Sequence, residues 1–385
     1  MSRISRVVAL LLTSLLPSLL AVLVLTPLRA RPLPAQPAST QRPVRIVVAR
    51  LTHGHVGWIL GRAARGDVQV VGIYEPDSAV VDRYARRFGF DRRLVYANLD
   101  AALGATKPEA IVAFGAISEH RPVVEAAAPR GIHVMVEKPL AFSVDDATRI
   151  AALAARHRIH VLTNYETTWY PSGYTAFDLV HGDTAVGPIR KVVVRDGHFG
   201  PKEIGVQPEF LAWLTDPAQN GGGALVDFGC YGANLMTWLM RGAAPATVTA
   251  VTQQIKRDST YARVDDEATL ILTYPTAQAI VQGSWNWPDH RKDLEIFGTH
   301  GYVATPDGRR VRVRLRGDTA ERAVAARPLP ARYQDGFAYL AAVVRGAERV
   351  ADADRSSLAN NVTVVRILNA ARRSAREGRT VRLEP

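Results

Sequence analysis

Short apolar runs alternate with helix-like segments over the first part of the chain, beginning at residue 44. Each run has the length and the valine and isoleucine content of a buried strand. Strands that alternate with helices are typical of a parallel, doubly wound sheet, so the pattern predicts an α/β domain over residues 43–163. The apolar runs lie at residues 44–48, 68–74, 94–96, 110–114 and 132–136.

The second part of the chain, residues 164–385, has a different order of elements. A helix is predicted from about residue 172, and several strand-like runs then follow one another. Helices near residues 336–345 and 356–376 are expected to pack back on a sheet. We therefore assign this part to a second domain. Its strand-like runs lie at residues 190–195, 247–251, 268–273, 279–282 and 294–297.

Residues 1–40 differ from both domains and are excluded from the predicted fold. Arg3 and Arg6 precede an apolar run over residues 7–28, and Pro/Ala-rich sequence follows. This pattern is typical of a secretory signal peptide, but its length also approaches the roughly 20 residues of a membrane-spanning helix. We expect the segment to engage the secretion machinery or the membrane. The protein is then exported (periplasmic or extracellular) or membrane-anchored, and a cytoplasmic location is disfavoured.

The formal net charge of +12 raises the question of a nucleic-acid partner. The densest basic run, residues 309–316, alternates arginine with valine and leucine, which indicates the solvated face of an amphipathic strand. We therefore predict no nucleic-acid partner. Cys230 is the only cysteine, which excludes an intramolecular disulfide and a cysteine-rich metal site. The acidic run 265–267 has no histidine or cysteine companion and is interpreted as a turn, so no metal site is predicted.

A glycine-containing turn follows the first apolar run and reads T-x-G-x-x-G. Thr52 stands where the dinucleotide-binding fingerprint has its first glycine, while Gly54 and Gly57 keep the other two. The backbone of this turn, which includes His55 and Val56, is predicted to approach the phosphates of a dinucleotide at the start of a helix.

Glu75 ends the second apolar run, about 20 residues after the turn. An acid at this position binds the ribose hydroxyls of NAD and repels the 2′-phosphate of NADP, so NAD is the favoured cofactor. Arg83, Arg86 and Arg87 on the next helix leave NADP possible.

Lys138 follows the last apolar run of the first domain and stands between Glu137 and Pro139. An ammonium group at the end of a buried strand needs a charge partner, water or a ligand. Ligands bind at the carboxyl ends of parallel strands, so we predict that Lys138 is catalytic. The alternative is a surface Glu-Lys pair at a strand end.

Three features together resemble the Gfo/Idh/MocA family (glucose–fructose oxidoreductase, inositol dehydrogenase and rhizopine catabolism) over about residues 44–383. They are the E-K-P that ends the nucleotide domain, the helix-start histidine His120, and the run G-G-G-A-L-V-D-F-G-C-Y over residues 221–231. The resemblance implies an NAD(P)-dependent oxidoreductase with a Rossmann domain and a second α/β domain. That domain has a large open, mostly antiparallel sheet, which commonly joins subunits into a homodimer or homotetramer.

Two positions depart from the family pattern. Tyr231 stands where most relatives have a histidine, as in the branch that resembles glucose–fructose oxidoreductase and dihydrodiol dehydrogenase. Thr168 stands where an arginine is expected, which weakens any transfer of that arginine's role. The substrate therefore stays open.

Oxidation of a secondary alcohol needs a base for the hydroxyl proton, and a free tyrosine has a pKa near 10. We expect the Lys138 ammonium to lower the pKa of Tyr231. Asp227, four residues before Tyr231, is expected to orient Lys138 or a sugar hydroxyl. In the structural alternative, Tyr231 is a core aromatic residue and Asp227 caps a helix N-terminus.

Five further residues complete the predicted site. Gly115, His120 and Glu137 are predicted to contact the cofactor, His120 by orienting a loop near the nicotinamide. His198 and Trp169 are candidates for the substrate pocket, although a lone histidine is more often structural and a tryptophan more often packs in a core.

These features predict an NAD(P)-dependent oxidoreductase that acts on the CH–OH group of a sugar, polyol or related small molecule. Two alternatives stay open: an NAD-assisted glycosidase that uses transient oxidation and elimination, and a non-catalytic dinucleotide-binding sensor or scaffold. Export adds a constraint, because dinucleotides are chiefly cytoplasmic. Either the cofactor is held tightly and recycles between paired substrates, or the N-terminal run anchors an enzyme that stays inside.

Overall fold

The computed structural model describes residues 42–383. The predicted signal peptide or anchor over residues 1–40 lies outside these residues. Within the described range, no helix is both long enough and apolar enough to cross a bilayer.

The first sheet is formed by strands that alternate with helices, as predicted. Several of these strands are buried along their whole length, because helices cover both faces of the sheet. In chain order the elements are β1 (Val44–Ala49), α1 (Val56–Leu60), β2 (Val68–Tyr74), α2 (Ser78–Phe88), β3 (Val95–Tyr96), α3 (Leu99–Thr106), β4 (Ala110–Ala113), α4 (His120–Ala127), β5 (His133–Glu137), α5 (Val144–His157) and β6 (Val161–Asn164).

The six strands are parallel and lie in the order β3-β2-β1-β4-β5-β6. This is the doubly wound order of dinucleotide-binding domains, in which the order reverses between β1 and β4. A crevice therefore opens at the carboxyl ends of these two strands, where the turn after β1 and the loop after β4 diverge.

The second sheet belongs to the C-terminal part of the chain and has nine strands. Its elements and the helices around it are α6 (Pro171–His181), β7 (Ile189–Gly197), α7 (Pro208–Leu214), α8 (Pro217–Asn220), α9 (Ala224–Asp227), α10 (Gly229–Leu239), β8 (Thr247–Gln253), β9 (Glu267–Thr273), β10 (Gln278–Ser284), β11 (Arg291–Gly298), β12 (Gly301–Thr305), β13 (Arg310–Leu315), β14 (Arg322–Ala325), α11 (Gly336–Val344), α12 (Leu358–Glu377) and β15 (Val381–Arg382).

The nine strands lie in the order β14-β13-β12-β11-β7-β10-β9-β8-β15, and only the β7–β10 pair is parallel. The expected mostly antiparallel sheet is therefore confirmed. The basic run 309–316 is also confirmed as an amphipathic strand: in β13, Arg310, Arg312 and Arg314 are exposed, while Val311 and Val313 are buried.

The last two helices both pack on the first sheet, and α12 also contacts the second sheet. Phe337 and Leu340 of α11 pack in the same core as Ile46 of β1, so this helix covers one face of the first sheet. Along α12, Val365 packs in the core on the other face of the first sheet, whereas Leu368 packs in the core of the second. The α12 helix therefore holds the two sheets against each other.

Candidate active site

A cavity of about 640 Å³ lies where the crevice of the first sheet faces the second sheet. From the first domain it is lined by the turn after β1 and by Lys138, which follows β5. From the second it is lined by His198 after β7, Lys292 of β11 and the α9–α10 segment. Ligands of doubly wound domains bind at this edge of the sheet, so the cavity is the candidate active site.

The predicted catalytic residues Lys138 and Asp227 are in direct contact. Lys138 Nζ donates hydrogen bonds to the Oδ1 atom of Asp227 and, at 3.1 Å, to its backbone oxygen. Burial alone would raise the pKa of Asp227, but the Lys138 ammonium lowers it to about 2. Burial alone would lower the pKa of Lys138, but the Asp227 carboxylate raises it. The pair is therefore ionised, and Lys138 is a hydrogen-bond donor rather than a base.

Asp227 is not a helix N-cap, because it is the last residue of α9 and its Oδ2 atom accepts a hydrogen bond from Trp285 Nε1 at 3.0 Å.

The glycines before α9 allow a close backbone contact. A Cβ atom on Gly223 would collide with the carbonyl oxygen of Asp265. The carboxylate of Asp265 accepts hydrogen bonds from the N–H groups of Gly223 (3.0 Å) and Leu225 (2.7 Å), so its role in a structural turn is confirmed.

The ring of Tyr231, in the first turn of α10, lies close to two ammonium groups. Lys292 Nζ is 3.8 Å and Lys138 Nζ is 5.3 Å from the ring centre. Burial raises the pKa of Tyr231 well above its usual value, and the Glu166 and Asp196 carboxylates add to this. The expectation that Lys138 lowers this pKa is therefore wrong, because burial dominates. The hydroxyl stays protonated and can donate a hydrogen bond into the cavity.

Lys292, Asp196 and Glu166 form an ion cluster beside Tyr231 that the sequence analysis did not identify. Lys292 Nζ lies 3.1 Å from Asp196 Oδ1 and 3.5 Å from Glu166 Oε2. Burial raises the pKa of Asp196 to about 7, although Lys292 opposes this. Burial would lower the pKa of Lys292, but the two carboxylates raise it. Lys292 and Asp196 are directly opposite in β11 and β7, so only the strand register reveals the cluster.

In the turn after β1, the residue with a left-handed backbone precedes the predicted T-x-G-x-x-G run. Arg50, and not Thr52, has a φ of 65°, in the left-handed region that favours glycine. Thr52 Oγ1 donates a hydrogen bond to the Phe114 carbonyl at 3.4 Å, which joins the turn to β4. Gly57 lies in α1, where a Cβ atom would approach Phe88 of α2 to 3.3 Å.

Glu75 directly follows β2, but its carboxylate is already hydrogen-bonded at both oxygens. Oε1 accepts from Arg50 Nη1 at 2.7 Å and from the Asp77 N–H at 3.1 Å, and Oε2 accepts from the Leu51 N–H at 3.0 Å. The Glu75 side chain is fully buried, whereas that of Arg50 is 19% exposed. Arg50 is therefore the member of the pair that meets the crevice.

Gly115 follows β4 beside this pair. A Cβ atom on Gly115 would collide with the Glu119 carboxylate and would lie 2.9 Å from Arg50 Cγ. Arg50 Nε lies 3.0 Å from Glu119 Oε1. Only a glycine at position 115 leaves room for this arrangement at the mouth of the crevice.

Glu137 is buried at the end of β5 and binds residues of the turn and of β6. Its Oε2 atom lies 3.0 Å from His55 Nδ1, and its Oε1 atom accepts a hydrogen bond from Asn164 Nδ2 at 2.8 Å. His53 Nδ1 accepts the His55 N–H at 3.1 Å. One ring nitrogen of each histidine and one Glu137 oxygen lie within 4.8 Å of one another. The sequence analysis predicted no metal site and did not identify this group, because His55 and Glu137 are 82 residues apart in the chain.

His120 begins α4 and is fully buried. Its Nδ1 atom lies 3.1 Å from the Leu140 carbonyl, so the ring holds the loop that follows Lys138. Among residues 42–383 its Nε2 atom has no hydrogen-bond partner.

The two substrate candidates lie in different places. His198 lines the cavity, and its Nδ1 atom accepts the Gly200 N–H at 2.9 Å. Burial lowers the pKa of His198 to about 4, so the ring is neutral at pH 7. Trp169 does not line this cavity, so its assignment to the substrate pocket is wrong. Its indole donates to Asn164 Oδ1 at 3.0 Å and faces a neighbouring cavity.

A buried arginine, Arg355, holds the backbone of the loop that contains Thr168. Arg355 is buried, and its guanidinium donates to the carbonyl groups of Thr167 (2.7 Å) and Thr168 (3.0 Å). It also lies over the rings of Tyr174 and Trp238, at 4.3 and 4.2 Å from their centres. An arginine thus fixes this loop from behind, outside the cavity lining.

A nicotinamide dinucleotide fits the residues at this edge of the first sheet. The doubly wound strand order places this crevice where a dinucleotide binds, and Gly54 of the turn after β1 lines the cavity without a side chain. The residues that would hold the cofactor are the turn 52–57, Arg50, Gly115 and Lys138. Glu75 and Glu137 have other partners here, so their contacts with a cofactor would require an exchange of hydrogen bonds.

Comparison with known proteins assigns both domains. A family model described as "Oxidoreductase family, NAD-binding Rossmann fold" (GFO_IDH_MocA) matches residues 52–165. A second, "GFO/IDH/MocA C-terminal domain", matches residues 180–304. The two ranges together cover more than half of the chain.

Two curated relatives and one solved structure illustrate the similarity. Trans-1,2-dihydrobenzene-1,2-diol dehydrogenase of Xenopus tropicalis is 26% identical over 242 residues, which cover 62% of this chain and 68% of the relative. A dTDP-3,4-didehydro-2,6-dideoxy-alpha-D-glucose 3-reductase of Streptomyces antibioticus is 31% identical over 171 residues, which cover 44% of this chain and only 48% of the reductase. An inositol dehydrogenase homolog of Azotobacter vinelandii, solved with NAD+, is 18% identical with a TM-score of 0.76, covers 89% and 97% of the two chains, and shows the shared fold.

Proposed function

Because the chain belongs to the Gfo/Idh/MocA family of NAD-binding oxidoreductases, we propose that it transfers a hydride between a nicotinamide dinucleotide and a secondary alcohol or ketone of a sugar, polyol or related small molecule. The convergence of Lys138, Asp227 and Tyr231 at the crevice of the first sheet carries the proposal. The strand end supplies Lys138, whereas the break between α9 and α10 supplies the other two.

The residues of the cavity bind and protonate the reacting oxygen. The dinucleotide, when bound, supplies or accepts the hydride. Lys138 and Tyr231 both keep their protons, because the Asp227 carboxylate raises the pKa of Lys138 and burial raises the pKa of Tyr231. Both groups can therefore donate hydrogen bonds to a carbonyl oxygen, and Tyr231 can transfer its proton to it. These protonation states favour the reduction of a ketone.

Hydroxylated substrates fit the polar lining of the cavity. Lys138, Lys292, His198 and Tyr231 offer donors, and Asp227 and Glu166 offer acceptors, in a space large enough for a sugar ring. The names of the two relatives, a diol dehydrogenase and a reductase of a nucleotide-linked sugar, support the same class.

The proposed location is outside the cytoplasm or at the membrane, as the arginines and the apolar run of residues 3–28 suggest. An exported enzyme would carry a tightly bound dinucleotide and recycle it between paired substrates. Native mass spectrometry of the protein from periplasmic, membrane and cytosolic fractions tests both points. Cytosolic protein that retains Met1 and lacks dinucleotide would contradict them.

We also propose a homodimer or homotetramer that forms through the nine-stranded sheet. On the face opposite to α10 and α12, the side chains of Val193, Ile271 and Ile280 are half-buried and adjacent across three strands. Their burial against a second copy would remove apolar surface from water. Light scattering coupled to size-exclusion chromatography gives the state, and Ile280→Lys is expected to produce monomers.

The activity is tested by incubating the full chain with NAD, NADP or their reduced forms and with a panel of polyols, aldoses and keto sugars. The expected result is a change in nicotinamide fluorescence with at least one pair. Glycosides form a separate arm, because release of the leaving group without accumulation of reduced nicotinamide would indicate the glycosidase alternative. A chain that binds dinucleotide but turns over no member of either panel would favour a sensor.

A further inference from the structure

His53, His55 and Glu137 form a compact group at the wall of the cavity. One ring nitrogen of each histidine and one carboxylate oxygen lie within 4.8 Å of one another, and His55 Nδ1 lies 3.0 Å from Glu137 Oε2. In a tetrahedral zinc site with bonds of about 2.0–2.1 Å, ligand atoms lie roughly 3.3 Å apart. Small side-chain movements would therefore bring all three atoms into coordination distance.

We propose that these three side chains bind a divalent transition-metal ion, for which Zn²⁺ is the first ion to test. Two imidazoles and one carboxylate are the ligand set of catalytic zinc sites and of non-haem iron sites, both of which keep open positions. Both histidines line the cavity, so an open position would face it. A hydroxyl or carbonyl oxygen of a small molecule is the ligand that such a position takes.

The group has the support that metal ligands need. His53 is buried and packs against Phe210 and Trp213, with ring centres 4.5 and 5.8 Å apart. The His55 ring stacks on Trp58 with centres 3.6 Å apart. Behind Glu137, Asn164 donates to Oε1 at 2.8 Å and itself accepts the Trp169 indole N–H. Such outer contacts orient ligands in known metal sites.

The charges also favour a cation. Glu137 is a buried carboxyl group whose hydrogen-bond partners are an amide and an imidazole, while the adjacent Lys138 is bonded to Asp227. On binding, the ion would replace the hydrogen bond between His55 and Glu137, and coordination through His53 Nδ1 would also replace the bond that this atom accepts from the His55 N–H.

The test measures metal binding by the full chain without nucleotide or substrate. Protein purified without chelators is analysed by elemental mass spectrometry, and metal-free protein is titrated calorimetrically with Zn²⁺. Co²⁺ supplies a visible spectrum that reports the coordination. The expected result is one ion per chain. His55→Ala and Glu137→Gln are each expected to weaken Zn²⁺ binding by about 100-fold or more. Loss of a residue that only orients a metal ligand weakens binding by about 10- to 100-fold.

His160→Ala is the matched control, because His160 is exposed and contacts His133 through its backbone N–H outside the cavity. It should bind Zn²⁺ as the unmodified chain does. Zn²⁺ should raise the unfolding temperature of the unmodified chain and of this control but not that of Glu137→Gln. The thermal transition of Glu137→Gln also shows that this variant folds. No stoichiometric binding by the unmodified chain, or equal affinity in Glu137→Gln, overturns the proposal. Dinucleotide binding is measured separately, so this failure leaves the proposed oxidoreductase function unaffected.

Discussion

Lys292 Nζ lies 3.8 Å from the centre of the Tyr231 ring and bonds to Asp196 in the neighbouring strand at 3.1 Å. Lys138, which is paired with Asp227, lies 5.3 Å from the same ring centre. Two lysine–aspartate pairs therefore surround the candidate proton donor. Each ammonium is held by a carboxylate, so both can interact with the aromatic ring or a substrate oxygen without losing a proton.

Removal of the donors is expected to abolish most of the turnover. Lys138→Met and Tyr231→Phe should each reduce kcat by about 100-fold or more, the range of a positioned acid–base group. Lys191→Met is the control, because Lys191 is bonded to Gln278 on β10 and does not line the cavity. Steady-state hydride transfer gives the rates, and unchanged kcat in both variants would refute the mechanism.

Lys138→Met leaves the Asp227 carboxylate buried without its ammonium, which by itself destabilises a fold by about 3–5 kcal/mol. The double variant Lys138→Met/Asp227→Asn removes both charges. It is expected to regain most of the lost stability in urea unfolding but none of the activity. Recovery of activity in the double variant would mean that Lys138 has only a structural role.

The titration of Asp196 makes stability depend on pH. Its pKa in the folded chain, about 7, exceeds the ordinary value of 3.8, so the folded state holds more protons than the unfolded state between these values. The contribution of this group to the free energy of unfolding is therefore present at low pH and is lost as the pH rises through about 7.

Asp196→Asn cannot lose a proton and should remove this dependence. From about pH 5 to about pH 8, the free energy of unfolding should fall less in Asp196→Asn than in the unmodified chain, by a few kcal/mol at most. Asp145→Asn, in which an exposed side chain is changed, serves as the control. Urea unfolding at the two pH values gives the comparison, and parallel curves for both chains would exclude a titration of Asp196 in this range.

The fold was more predictable than the site. Five of the six strands of the first sheet were placed within about one residue, because runs such as β1 and β4 are buried and apolar along most of their length, but β6 was missed. Lys138, Asp227 and Tyr231 were assigned to one cleft from motifs and resemblance. The partnership of Lys292 with Asp196 depends on the register of two distant strands, and that of His55 with Glu137 depends on a tertiary contact. Sequence periodicity reports burial and does not report which strands are neighbours.

Arg50 is expected to control the choice between NAD and NADP. Its guanidinium pairs with Glu75 and so places a positive charge beside the acid that is expected to repel a 2′-phosphate. Arg50→Gly preserves the positive φ and should weaken NADP binding relative to NAD by about tenfold, the effect of roughly 1.4 kcal/mol. Fluorescence titrations with the two cofactors measure the ratio.

Arg83→Ala is the matched control for this change, because the Arg83 guanidinium donates to Glu209 at 2.8 Å. It should leave the ratio of the two affinities unchanged. If Arg83→Ala weakens NADP binding and Arg50→Gly does not, the arginines of α2 determine the preference instead.

Arg355 is expected to be important for stability. Arg355→Met leaves the buried carbonyl groups of Thr167 and Thr168 without these donors, at a cost of about 1–3 kcal/mol each. Arg373→Met, on the exposed side of α12, removes only a pair with Glu377 and should cost about 0.5 kcal/mol or less. Equal unfolding midpoints for the two variants would contradict the role of Arg355.

The packing of α11 against the first sheet also determines when that sheet can fold during synthesis. Phe337, Tyr339 and Leu340 share a core with strands that are complete by residue 164, yet the ribosome adds them more than 170 residues later. Helices α1 and α2 cover part of this face early, and the part beneath α11 stays uncovered while most of the second domain is made. A ribosome-bound chain that ends before α11 is expected to expose apolar surface to chaperones, and a full chain hides it.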